Sequence, residues 1–492
     1  MLPTIRLPPA GVLAHRHGPS LMGAPTAALP SACLSSAGLS SAGLAFKAFA
    51  IASLVFVGTT TQICWAQTAN HDSQPSNTKA PTTEPIPGSP SRAEENPGTG
   101  QLGQWLGLSN DSALRISGLW VGNASDQTSG GLPGYGRGGL SQQALLGLRL
   151  DMAKTLHWQG ASILVQGLQV NVANSAANAA GSLQGTNNLA AAPPLNRTEL
   201  YSYLFRQDLF KHQLKILLGK QSPSTTFANV MRPMTRAGAS FAEPFVTGLP
   251  MTPPFAMPTL QGKLPGYPDS ALGATVIVEP EAHHYNTYFE AGVYDGRQAT
   301  GVATGLVSPS LSGALFSIVE AGTRWSLGKG EKPGSVGLGS WYQSGTLSPV
   351  VPGTNLAENG TYGSYLIGSQ RLINFRPKRD ISGLTSFVQA GWTASTTATM
   401  TANLGGGVTV FAPFTSRPND SYGFGLSWAQ VNTRSTLSQI WNPQELMLQA
   451  YAQIHLLGSS FLTPAITYLP MVGVKSAGAP SLSAILQLVV QF

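Results

Sequence analysis

Only two cysteines occur in the 492 residues, Cys33 and Cys64, and both precede residue 67. Everything downstream therefore lacks a disulfide framework and a cysteine metal site. Charge is also scarce: 10% of the side chains are Asp, Glu, Lys or Arg, against roughly 25% in ordinary soluble domains. So few charges would not cover a water-facing surface, whereas a surface that meets lipid needs almost none. Beyond residue 100 no apolar run approaches the roughly 18 residues of a membrane-spanning helix. The one dense basic cluster is "RPKR" (Arg376–Arg379); it has no interleaved aromatics, which argues against a nucleic-acid partner. Residues 1–66 hold Arg6, Arg16 and Lys47 and no acid, so the remainder carries 25 basic against 21 acidic residues. No field of one sign follows from that balance.

What is present falls into three parts. Lys47 precedes the apolar stretch "AFAIASLVFVG" and then "TTTQICWAQ", the order of an export signal, with cleavage expected after Ala66. Eleven apolar residues are too short to cross a hydrocarbon core about 30 Å thick. Residues 1–66 thus form an export leader, with its signal core at about 47–66 and Met22 as a possible internal start. Residues 67–100 contain six prolines and almost no large apolar side chain. Such a stretch cannot bury enough surface to offset its ordering entropy, so a disordered linker is expected. Residues 101–492 form the remaining domain.

In that domain the recurring signal is period-two alternation. Val319, Ala321, Thr323 and Trp325 oppose Glu320, Gly322 and Arg324; Val388, Ala390 and Trp392 oppose Gln389 and Thr393. Tyr422, Phe424, Leu426 and Trp428 share one side of a third segment. Leu446, Leu448, Ala450, Ala452 and Ile454 oppose Glu445, Gln449, Tyr451, Gln453 and His455. These are half-buried strands. Their apolar faces end in Trp or Tyr, as an aromatic girdle would, and their other faces are polar enough for a wet lumen. The last segment, "SLSAILQLVVQF", alternates in the same way and finishes on Phe492. In lipid an open sheet edge would leave backbone groups unpaired, so the sheet must close. The 392 residues after residue 100, at roughly 24 per strand with its connection, predict an all-β transmembrane antiparallel barrel of about 16 strands.

Several segments resemble the carbohydrate-selective porin family (OprB type) of the bacterial outer membrane. They are "NRTELYSYLFRQDLFKHQLKILLGKQSPSTTFA" (Asn196–Ala228), "GLRLDMAKTLHWQGASILVQGLQVN" (Gly147–Asn171), "TYFEAGVYDG" (Thr287–Gly296) and "NPQELMLQAYAQIHLLGSSFLTPAITYLP" with the closing strand. The resemblance implies an outer-membrane barrel in Gram-negative bacteria that passes sugars down their gradient. It also implies that a terminal aromatic such as Phe492 is read by the barrel assembly machinery. A sugar needs a pore one ring wide with hydrogen-bonding walls, and aromatic faces could help it slide. The candidate lining residues are Lys215, Tyr288, Glu290, Tyr294, Glu320, Arg324, Glu445, Gln449, Tyr451 and Gln453. For any one of them the favoured reading is the plainer one, that it wets the lumen wall or forms an inward ion pair that holds the barrel's shape. The Pro-rich stretch Met231–Ser270 is the expected constriction loop.

No catalytic constellation is expected. His283 and His284 are adjacent, so in a strand they would point to opposite faces, and no ordered carboxylate spacing accompanies them. Neither a metal nor a cofactor is implied. Two other readings stay open: a non-selective general porin, and a barrel acting as an export conduit or anchor.

Overall fold

A computed structural model describes residues 99–492, apart from loop stretches of which 231–233, 236–241 and 244–256 form the main group. The leader, nearly all of the linker, and His283 and His284 lie outside the described residues. A short helix, α1 (Gln101–Trp105), comes first. It is followed by β1 (Leu114–Gly131), β2 (Gly138–Asp151), β3 (Ala161–Asn171), β4 (Asn196–Leu209) and β5 (Leu214–Gln221). Two short strands, β6 (Met234–Thr235) and β7 (Ala242–Glu243), pair with each other. Then come β8 (Ala271–Val278), β9 (Asn286–Asp295), β10 (Leu315–Leu327), β11 (Lys332–Leu347), β12 (Glu358–Asn374) and β13 (Gly383–Thr393). The last five are β14 (Met400–Phe411), β15 (Ser421–Val431), β16 (Gln444–His455), β17 (Ser460–Met471) and β18 (Gly478–Gln491).

All strands but β6 and β7 join one closed antiparallel barrel of 16, in which β18 pairs with β1. The alternation seen in the sequence decides which side chains face out. Leu338 (62% exposed), Leu404 (50%) and Val319 (45%) project from the barrel, while Glu320, Gln389 and Gln453 between or opposite them are buried inside. A large apolar side chain left in water forgoes roughly 1.5–3 kcal/mol of burial; hydrocarbon around the barrel removes that cost. Trp392 stacks edge-on to Tyr362 on the outer face, and Trp325 donates to Gln370.

The seam shows why the chain ends as it does. Leu482, Ala484, Leu486, Leu488 and Val490 alternate outward, and Ser483, Gln487 and Val489 are buried. Gln487 Nε2 donates to Asn123 Oδ1 (2.9 Å) and Ser483 Oγ donates to Gln127 Oε1 (2.5 Å), both across the closing pair. The Phe492 N–H donates to the Gly118 carbonyl and the Gly118 N–H to the Phe492 carbonyl. Gly118 lets the terminal ring lie on the strand, because a Cβ there would meet Phe492 Cε2 at 2.2 Å.

The two ends of the barrel differ. At one end the turns are tight, as between β4 and β5, β10 and β11, and β16 and β17. At the other, residues 172–195 link β3 to β4, 222–270 link β5 to β8, and 296–314 link β9 to β10.

Candidate functional site

Two of the long connections turn inward and fasten to the wall, one across the barrel from its origin and the other first on a strand only three places from its own. The connection after β3 reaches β15 and β16. There Ser182 Oγ donates to Glu445 Oε1 (2.8 Å), the Leu183 N–H to Glu445 Oε2 (2.7 Å) and the Gln184 N–H to Glu445 Oε1 (3.2 Å). Ser427 Oγ donates to Gln184 Oε1 (2.7 Å), and Gln449 Nε2 to the Thr186 carbonyl (3.1 Å). The connection after β5 goes deeper. The Ala228 N–H donates to Glu320 Oε2 (2.9 Å), and the same carboxylate accepts from Tyr288 (2.8 Å) and Tyr365 (2.7 Å). Room for Tyr365 comes from Gly339 on β11, where a Cβ would meet the ring at 2.1 Å. Farther along, Thr259 Oγ1 donates to Asn403 Oδ1 (3.1 Å) and Lys263 Nζ to Thr397 Oγ1 (2.7 Å). Burial pushes the Lys263 ammonium down to about 8, with Glu358 pulling the other way.

Glu320 and Glu445 are fully buried. A carboxylate removed from water is tolerated only when its oxygens are satisfied. Loop groups supply all three donors to Glu445 and one of the three to Glu320, the strand tyrosines Tyr288 and Tyr365 supplying the others. The buried acids are the loops' anchors, and the loops take up the walls from β10 to β16.

Among the described residues, the wall from β2 to β5, with β8, borders open space. A cavity of about 190 Å³ lies against it; a cavity of roughly 150 Å³ accepts a benzene ring. Ser162, Gln166, Ser202, Gln221, Ser222 and Thr225 supply hydroxyls and amides, and Arg149, Arg206 and Lys215 supply charge. Arg206 grips Asp208 with two bonds (2.7 and 2.9 Å), and His212 Nδ1 lies 2.8 Å from the same carboxylate. Glu279, just past β8, sits between Lys215 and Arg324 Nη1, the latter at 2.9 Å. Burial opposes the Glu279 charge, but Arg324 and Lys215 outweigh it and hold the carboxyl down at about 2. Arg324 also lies over the Tyr288 ring, 4.7 Å from its centre.

The residues expected from alternation occupy these places: Tyr288, Glu290 and Tyr294 on β9, Glu320 and Arg324 on β10, Lys215 on β5, and Glu445, Gln449, Tyr451 and Gln453 on β16. Lys215 and Arg324 keep partial exposure; the others are buried. Tyr294 shares a hydrogen bond with Thr275 and Tyr451 with Thr409. The stretch Met231–Ser270 is described only in part; within it Met257, Thr259, Leu260 and Lys263 are buried.

Arg149 and Arg206, which border the cavity, did not emerge from the sequence. Arg149 could have been found, since it alternates against Leu148 and Leu150. Arg206 could not: the β3–β4 register slips where Gln166 faces Ser202 and Gly167 faces Leu200. Counting by twos from buried Arg197 and Glu199 would turn Arg206 outward.

The model of the family "Carbohydrate-selective porin, OprB family" matches residues 138–473. Among solved structures, the high-pH structure of Pseudomonas putida OprB aligns with 80% of this chain and 99% of its own, at 16% identity and a TM-score of 0.65. Its low-pH structure aligns with 81% and 99% at 16% identity and a TM-score of 0.47. The outer membrane channel DcaP of Acinetobacter baumannii covers 77% of this chain and 97% of its own, at 8% identity and a TM-score of 0.44. No curated protein sequence matches the chain significantly. A closed 16-stranded barrel and a family match over most of its length lead to one conclusion: the chain belongs to the carbohydrate-selective porin, OprB family.

Proposed function

We propose that the barrel is a passive channel through which single sugar rings and other small solutes cross the bacterial outer membrane into the periplasm. The observation that carries this reading is the ring-sized, polar-lined space against β2–β5, in a barrel whose other wall holds the anchored parts of two loops. A sugar entering it exchanges bonds to water for bonds to Ser162, Gln166, Ser202 and Thr225. Such contacts are strong enough to admit a solute and weak enough to release it. Liposomes containing the purified barrel should swell in glucose and remain unswollen in raffinose, a trisaccharide. Equal swelling in both would leave a general porin, and swelling in neither would favour an export conduit or anchor.

The reading extends to segments and partners. Residues 1–66 act as a leader removed after Ala66, 67–100 as a linker, and 101–492 as the barrel. The long loops face the outside and the tight turns the periplasm, as is general for such barrels. Outer-membrane lipid surrounds the apolar face, and the assembly machinery reads Phe492 before the barrel closes. The mutual hydrogen bonds of Phe492 and Gly118 support a part for this residue in closure. Deleting Phe492 should lower the amount of heat-modifiable barrel in the outer membrane, and an unchanged amount would remove this role.

A further inference from the structure

The acids and bases of the lumen are sorted. Glu320 and Glu445 are enclosed and committed to loop donors, and Glu290 at the cavity edge is 1% exposed. The acids nearer the open space are shared: Asp208 between Arg206 and His212, and Glu279 between Lys215 and Arg324. Asp151 caps the turn after β2, accepting the Ala153 N–H at 3.0 Å.

Arg149 stands apart. It borders the cavity, and among the described residues no carboxylate makes an ion pair with it. Its cross-strand partner is Arg115, whose Nε is buried without a hydrogen-bond acceptor. Like charges directly opposite on one face destabilise a sheet pair. A wall built only to close the barrel would gain by placing an acid at either position.

We propose that this wall is a subsite for anionic sugars, in which the carboxylate of a sugar acid lies beside Arg149 while the ring meets the hydroxyls of Ser162, Ser202 and Thr226. This deepens, and rests on, the reading of the barrel as a sugar channel. A guanidinium offers a planar fork that matches a carboxylate. Arg206 and Lys215 border the same cavity but each already holds its own acid, which leaves Arg149 as the cation there with no carboxylate in an ion pair among the described residues.

The probe is glucuronate, which keeps the glucose ring and adds one carboxylate. Liposomes carrying the intact barrel should admit glucuronate at a rate comparable to that of glucose. Loss of one charged hydrogen-bonding partner should lower the glucuronate-to-glucose flux ratio about tenfold in Arg149→Gln. Arg149→Lys should retain most of the ratio, which separates charge from wall packing. If glucose passes but glucuronate does not, or if Arg149→Gln leaves the ratio unchanged, the anion subsite is refuted and the sugar channel stands. If neither solute passes, both readings fall together.

Discussion

The two sides of the lumen use ionisable residues in opposite ways. From β10 to β16 the carboxylates are enclosed: Glu320 and Glu445 each accept three hydrogen bonds and fasten the loops that follow β5 and β3. From β2 to β5 the cations border open space, and their acids sit between pairs of them. Both sides are polar by alternation, so inward direction alone does not say which residues a solute meets. Burial does. A buried carboxylate surrounded by donors is structural, whereas a half-exposed guanidinium remains available.

The largest effect should come from Glu320→Ala, which strips the Ala228 N–H and the Tyr288 and Tyr365 hydroxyls of their acceptor. Leaving buried donors without an acceptor costs roughly 1–3 kcal/mol. Chemical unfolding in detergent should register that loss, and single-channel conductance should rise as residues 222–230 leave the lumen. Unchanged conductance would mean that the loop is held by its other contacts, and the contrast between the two walls would weaken. Glu445→Ala should act in the same direction with a smaller rise, because Gln184 and Thr186 keep their own bonds to Ser427 and Gln449. A larger rise than in Glu320→Ala would reverse the order of the two anchors.

The smallest expected effect is a pH dependence at Lys263. Its folded-state pKa lies at about 8, below the usual 10.4 or so of the unfolded chain. The unfolded state therefore holds more protons between those values, and stability rises with pH across that window. Below about pH 8 the buried charge is retained in both states and the burial penalty is present in full. Anion selectivity, measured by reversal potential in a KCl gradient, should fall slightly as pH passes from 7 to 9. Lys263→Gln should flatten that change; a slope that persists in this variant would place the titrating group elsewhere.

Much of the fold was legible because a membrane barrel repeats one rule. Alternation in "SIVEAGTRWSL" and "ELMLQAYAQIHL" separates outer from inner residues, and Val319 and Glu320 fall on opposite sides as that rule requires. The strand number also followed, from length per strand and the need to close every edge. The candidate site was less legible. Alternation put Glu320 and Lys215 together as polar inward residues, although one anchors a loop and the other borders the cavity. It also missed the inward course of residues 179–186, because their partners Glu445 and Ser427 are more than 240 positions away.

By itself, then, the sequence determined the membrane solvent, the 16-stranded closure and the side of the wall to which most residues belong. These follow from local periodicity and from the cost of unpaired backbone in lipid. Only the tertiary structure decided which carboxylates are consumed by loops, where the register slip turns Arg206 inward, and where open space remains. Those depend on contacts between distant segments, and a short-range pattern carries no record of which segments meet.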